Sequence, residues 1–162
     1  MLSWDGVKAE FAWEGSWRDI CVLETSIDEW QATLDMLRAR KFNLAFTING
    51  AVAELPQDIG EAFEKARDAA LCLSVFTRGV CLNCHFFDLS EIEFDLDPRE
   101  ILGQLEFDAV VEFMQEVAAA TDKFVLMTPE NTHDAPFVRV APSRTTEYIS
   151  SEGFFEGLAR RR

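Results

Sequence analysis

The sequence predicts an α+β fold, a single domain with one mixed, mainly antiparallel sheet and about three helices packed on one side of it. Three observations indicate this class. Short segments of alternating apolar and polar residues are separated by tight-turn signals, several segments carry apolar residues at helical spacing, and the chain has 162 residues. Because 48% of the residues are apolar, the chain can bury a core without metals or disulfides. We therefore expect one domain over residues 1–162, with its core at about 11–141 and a peripheral segment at 142–162.

The first half of the chain alternates strands with helices. Ser26 and Glu29 form a capping box, in which each side chain accepts a hydrogen bond from a free backbone N–H at the start of a helix. The dipeptide Asn49-Gly50 favours a two-residue type I′ turn, which joins two antiparallel strands. The predicted elements of this half are strands at 17–24, 42–48 and 51–55, and helices that begin after Ser26 and after Pro56.

The second half predicts a three-stranded meander, a long helix and two short strands. Arg78-Gly79 marks the turn between the first two strands of the meander. Asp97-Pro98 is typical of a helix start, with Asp as the cap and Pro at the first helical position. The predicted elements of this half are strands at 71–77, 80–87, 91–96, 124–128 and 137–141, and a helix at about 105–121.

The composition is strongly acidic. Twenty-nine Asp and Glu oppose fifteen Lys and Arg, which gives a formal net charge of −14. Such a chain repels nucleic-acid phosphates and anionic membranes and attracts basic proteins, so we expect neither nucleic acid nor a membrane as partner. The N-terminus carries no basic and apolar leader, which favours a cytoplasmic protein with four reduced cysteines.

The acidic residues are concentrated around the strand predicted at 91–96. In an extended strand Ile92 and Phe94 enter the core, while the intervening carboxylates form a row about 6.5–7 Å apart on the opposite face. This spacing resembles that of phosphates along a nucleic-acid strand, so the row can occupy a basic surface. The alternative is an ordinary solvated strand face whose charges prevent aggregation. The candidate partner-binding residues are Asp88, Glu91, Glu93, Asp95, Asp97 and Glu100.

A polar loop after the strand at 124–128 is the second candidate site. Glu130 and His133 could act as an acid–base pair, and Asn131 lies between them. This loop predicts, as an alternative function, a small enzyme or ligand-binding domain with its site near these three residues.

A third pattern is the Cys-x-x-Cys-His sequence formed by Cys81, Cys84 and His85, which is typical of covalent haem attachment. The two cysteines are three residues apart in a predicted strand, so they point to opposite faces and cannot hold one ligand. A zinc ion would need a further ligand from elsewhere. We therefore expect no metal here and no cofactor in the protein.

Motifs for phosphate, dinucleotide or nucleophilic chemistry are absent from the sequence. We therefore expect a non-catalytic, acidic protein-binding domain, of the kind represented by immunity or antitoxin inhibitors of basic proteins. The sequence does not determine the oligomeric state, and a homodimer is compatible with it.

Overall fold

The computed structural model describes residues 1–150, which form one antiparallel sheet of nine strands and four α-helices. The predicted α+β class is therefore confirmed, although every strand pairing is antiparallel and the sheet is not mixed. The strands are β1 (Arg18–Leu23), β2 (Asn43–Ile48), β3 (Ala51–Val52), β4 (Leu71–Thr77), β5 (Val80–His85), β6 (Glu91–Leu96), β7 (Val125–Pro129), β8 (Val138–Val140) and β9 (Thr146–Tyr148). The helices are α1 (Trp4–Val7), α2 (Ile27–Ala39), α3 (Ile59–Ala66) and α4 (Gln104–Thr121).

The strands lie in the order β3-β2-β4-β5-β6-β1-β7-β8-β9, which puts β6 in the middle of the sheet. Ile20 of β1, Phe94 of β6 and Cys84 of β5 are register partners and therefore point to the same face. These side chains belong to the hydrophobic core that the helices share with the sheet. The helices thus cover one face, and the opposite face carries Asp19, Asp95 and Asn83 in the neighbouring register.

The helices form where local sequence chemistry favours them. The capping box at the start of α2 is present, with Ser26 N–H donating to Glu29 at 2.8 Å. The side chain of Asp58 caps α3 by accepting a hydrogen bond from the backbone N–H of Gly60 at 2.7 Å. The long helix α4 buries nine of its residues, among them Phe107 and Phe113, and it supplies the largest helical part of the core. No helix among residues 1–150 is long and apolar enough to cross a membrane.

The turns follow the predicted chemistry. Asn49 and Gly50 both have positive φ angles, of 50° and 80°, as a type I′ turn requires. Arg78 and Gly79 repeat this conformation between β4 and β5. The first turn fixes the register of β2 with β3. The second fixes the register of β4 with β5 and so determines which residues of these two strands face the open side of the sheet.

A buried arginine at the start of β1, Arg18, holds the N-terminal segment in place. The guanidinium of Arg18, which is 5% exposed, donates to the carbonyl oxygens of Glu10 and Ala12 at 2.7 and 3.0 Å and also pairs with Glu14 at 2.8 Å. The sequence did not predict α1 or the 3₁₀ turn Lys8–Phe11 that follows it. Both pack on α4, where Trp4 lies 6.0 Å from Phe107 between ring centroids.

Three element predictions differ from the structure. Residues 97–100 form only a 3₁₀ turn, Pro98–Glu100, and α4 begins separately at Gln104. The strand predicted at 51–55 comprises only Ala51–Val52. The segment predicted to be peripheral contributes the edge strand β9, and Tyr148 of that strand donates a hydrogen bond to Glu10 at 2.8 Å. The remainder of that segment, residues 151–162, lies outside the described residues.

Candidate functional site

The acidic strand has the predicted alternation. Ile92, Phe94 and Leu96 are at most 1% exposed and point into the core. Glu91, Glu93 and Asp95 point to the open face of the sheet, yet their side chains are only 22–25% exposed. The carboxylates are therefore half-buried rather than freely solvated, because β6 is a central strand with neighbours on both sides.

The loop between β7 and β8 explains much of this burial, because it folds across the open face onto β6. Asn131 adopts a left-handed conformation, with φ of 57°, and its backbone N–H donates to Oδ2 of Asp19 at 2.8 Å. His133 Nε2 lies 3.0 Å from Oε1 of Glu91 and 3.6 Å from Oε2 of Glu93. The acidic strand and the polar loop, which the sequence offered as alternative sites, are therefore parts of one site.

Two residues of this site were missed at the level of sequence. Asp19 and Cys21 lie on β1, the strand next to β6, and are 2% and 0% exposed. Register pairs Asp19 with Asp95 and Cys21 with Glu93. The available signal was an aspartate followed directly by four apolar residues in a predicted strand, since a carboxylate buried there is costly unless it has a partner.

Burial and the mutual repulsion of the carboxylates in this cluster shift their pKa values. Burial, together with the neighbouring carboxylates of Asp19 and Glu91, raises the pKa of Glu93 to about 7. Burial also raises the pKa of Asp19, although the Asn131 N–H works against this shift. The thiol of Cys21 has a pKa of about 12, first because it is buried and then because Glu91 and Asp19 are close. The cluster therefore favours the uptake of positive charge.

A second part of the open face lies beside this cluster. His85 Nε2 is 3.1 Å from Oδ2 of Asp95, and this hydrogen bond raises the pKa of the imidazole. The two side chains line a shallow cavity of about 290 Å³ together with Trp17, Asn83 and Glu130. Residues of the acidic strand, the polar loop and the Cys-x-x-Cys-His pattern thus meet in one depression.

The remaining predicted partner-binding residues have local partners. Asp88 accepts hydrogen bonds from the backbone N–H and hydroxyl of Ser90. Asp97 caps the 3₁₀ turn and holds the guanidinium of Arg99 through both carboxylate oxygens. Glu100 accepts from the backbone N–H of Cys81 at 2.8 Å. These three carboxylates stabilise the ends of β6 and β5 and contribute less free negative charge than the middle of the row.

The Cys-x-x-Cys-His residues do not converge. Cys84 is buried in the core, whereas Cys81 and His85 lie on the opposite face of β5. Within residues 1–150, the side-chain groups with the spacing of metal ligands are Cys21-Glu91-His133 and Asp19-Glu93-His133.

No protein-family profile, curated protein or solved structure matches the chain.

Proposed function

We propose that this domain is a non-catalytic binding protein that docks a basic partner protein on the open face of its sheet. The observation that carries the proposal is the cavity that Trp17 lines together with two acidic residues, Asp95 and Glu130. A lysine or arginine side chain suits such a cavity. Its aliphatic stem packs on the indole and its cationic end meets the carboxylates.

The charge of the surrounding face supports the same partner. Along the row from Glu91 to Asp97, the cations paired with carboxylates among residues 1–150 are His85, His133 and Arg99. A histidine can give up its proton when a stronger cation from a partner takes its place, so the pair of His85 with Asp95 is exchangeable. The net charge of −14 adds long-range attraction that accelerates encounter with a basic protein.

An inhibitor of a basic toxin, of the immunity or antitoxin type, would work in this way. Its acidic face would occupy the surface with which the toxin holds an anionic substrate. We expect the encounter to take place in the cytoplasm, where the four free thiols stay reduced.

The proposal is tested with a nona-arginine peptide, whose affinity is measured by calorimetry at several salt concentrations. The double variant Asp95→Asn/Glu130→Gln keeps the hydrogen-bond acceptors at His85 and at the Trp17 N–H but removes both charges from the cavity. We expect this variant to lose about tenfold or more in affinity, since each charged contact contributes about 1 kcal/mol or more.

The matched control is Glu54→Gln/Asp68→Asn, which removes the same number of charges from two exposed positions away from the cavity. Both double variants have the same net charge, so long-range attraction changes equally. Equal losses in the two variants would mean that the peptide senses total charge alone, and the proposal would be wrong.

A second candidate function is a small-molecule site at the loop carrying Glu130, Asn131 and His133. It is favoured by the 3.6 Å separation of His133 from Glu93, because a histidine and a carboxyl that titrates near neutrality can exchange a proton. A thermal screen of small molecules tests it. Stabilisation of the wild type that disappears in His133→Gln would support this function, and a screen without any stabilising compound would oppose it.

A further inference from the structure

The cluster beneath the loop contains more negative than positive charge. Asp19, Glu91 and Glu93 face a single imidazole, that of His133, and no lysine or arginine of residues 1–150 forms an ion pair with any of the three carboxylates. Buried carboxylates are normally paired with cations or bind a metal. Three carboxylates around one histidine therefore leave a deficit of positive charge.

Individual atoms of the cluster also lack partners. Oε1 of Glu91 is sealed from solvent and accepts no hydrogen bond, although His133 Nε2 is 3.0 Å away. Asp19 is 2% exposed, and the Asn131 N–H is the single donor to its carboxylate among the described residues. The thiol of Cys21 is fully buried and makes no hydrogen bond within residues 1–150. Buried polar groups are hydrogen-bonded in the great majority of cases, so the carboxylates of Glu91 and Asp19 together indicate a place where a cation can bind.

The geometry fits a metal ion. Two ligands of a tetrahedral Zn²⁺ lie about 3.3 Å apart, as follows from metal–ligand bonds of about 2.0–2.1 Å. The distance from His133 Nε2 to Oε2 of Glu93 is 3.6 Å, which is close to that value. In each of the two groups that share His133, all donor atoms lie within 4.8 Å of one another, which is near the separation that one bound ion requires.

We propose that Asp19, Glu93 and His133 bind a divalent transition-metal ion, with Zn²⁺ the best fit, and that Glu91 and Cys21 border the same site. An imidazole nitrogen favours zinc over calcium or magnesium, which select all-oxygen sites with six or more ligands. Three protein ligands leave one position of a tetrahedral ion open, and His133 is 33% exposed, so solvent reaches this side of the site. A single bound ion would therefore link β1, β6 and the loop between β7 and β8.

This inference does not depend on the docking proposal, because Asp95 and Glu130 belong to the neighbouring cavity and not to the ligand set. The test uses the full chain, freed of any affinity tag and treated with a chelator. Zn²⁺ is titrated into it by calorimetry, and the thermal midpoint is recorded with and without the ion. We expect one Zn²⁺ per chain with micromolar or tighter affinity and a raised midpoint. An absence of saturable binding at millimolar Zn²⁺ would overturn the inference.

The two histidines of the chain supply the matched variants. We expect His133→Gln to weaken Zn²⁺ binding at least a hundredfold, and His85→Gln to leave it within a factor of three. The opposite pattern, or equal losses in both variants, would contradict the assignment.

Imidazole nitrogen chemical shifts of the wild-type protein provide a measurement that needs no variant. We expect the His133 ring to take the shifts of a metal-bound imidazole on addition of Zn²⁺ and to stop titrating, while His85 continues to titrate. A His133 ring that still titrates in the zinc-saturated protein would overturn the assignment even if a variant failed to fold.

Discussion

His133 Nε2 lies 3.0 Å from Oε1 of Glu91, and this contact joins the loop after β7 to the central strand β6. Through it, two segments that are distant in the chain form a single cluster of half-buried acids around one imidazole. The pH response, the alternation of β6, the anchoring of the loop and the packing of the N-terminal segment can each be tested.

The first prediction concerns pH. Glu93 has a pKa of about 7 in the folded protein and 4.5 as its ordinary value, so between these values the native state binds more protons than the unfolded chain. The free energy of unfolding therefore falls as the pH rises from about 4.5 to 7. The raised pKa of His85 acts in the same direction, since its stabilising contribution is lost as the pH rises through the folded value.

We expect the metal-free wild type to lose about 3–6 °C in thermal midpoint between pH 5 and pH 8, as about 1–2 kcal/mol would produce in a domain of this size. Glu93→Gln should flatten this slope, whereas the exposed control Glu54→Gln should retain it. A slope unchanged in Glu93→Gln would show that Glu93 does not hold its proton in the native state.

The second prediction separates the two faces of β6. Phe94 is 1% exposed and lies 4.9 Å from Phe113 between ring centroids, so Phe94→Ala should cost about 3–5 kcal/mol of unfolding free energy. Its neighbour Asp95 points to the open face, and Asp95→Asn should cost about 1 kcal/mol or less. Urea unfolding of both variants measures the difference. Similar losses at the two positions would contradict the alternation.

The third prediction concerns the anchor of the loop. Asp19→Ala leaves the Asn131 N–H without its acceptor, which should cost about 1–3 kcal/mol and release the loop. Asp19→Asn keeps an acceptor at the same place and should hold the loop closed. Amide hydrogen exchange at Asn131 is the measurement. We expect fast exchange in the alanine variant and protection in the asparagine variant, and equal protection in both would exclude this anchor.

The fourth prediction concerns Arg18. Its planar guanidinium donates in several directions at once, to Glu10, Ala12 and Glu14, and a lysine cannot reproduce this fork. Arg18→Lys should therefore cost about 2–4 kcal/mol. Chemical denaturation checks this value against Arg139→Lys, a partly exposed control that should stay within about 0.5 kcal/mol of the wild type. Similar losses in the two variants would show that the carbonyl contacts of Arg18 are dispensable.

Features set by neighbouring residues could be predicted from the sequence. The capping box at Ser26 and Glu29, the turn at Asn49-Gly50 and the inward direction of Ile92 follow from local chemistry, and the structure confirms all three. These patterns act over a few residues, where side-chain spacing decides the conformation.

The candidate site could be predicted only in pieces. Glu93 and His133 were each singled out, but their proximity depends on where β1 and β7 insert in the sheet. Asp19 joins them only through the register of β1 with β6, which involves residues far apart in the chain. A strand of three residues, such as Thr146–Tyr148, is too short to show a clear alternation of apolar and polar residues. It can be recognised only from its pairing with a neighbouring strand.

The alternation along β6 has a consequence for how this protein can evolve. Packing in the core constrains Ile92 and Phe94, whereas binding at the open face constrains Glu93 and Asp95. Two selective pressures thus act on successive codons of one gene segment. In descendants of this chain that bind different molecules, the even-numbered positions of β6 should therefore stay apolar, while the odd-numbered positions should vary. A change of ligand would then be visible in the sequence of this six-residue strand.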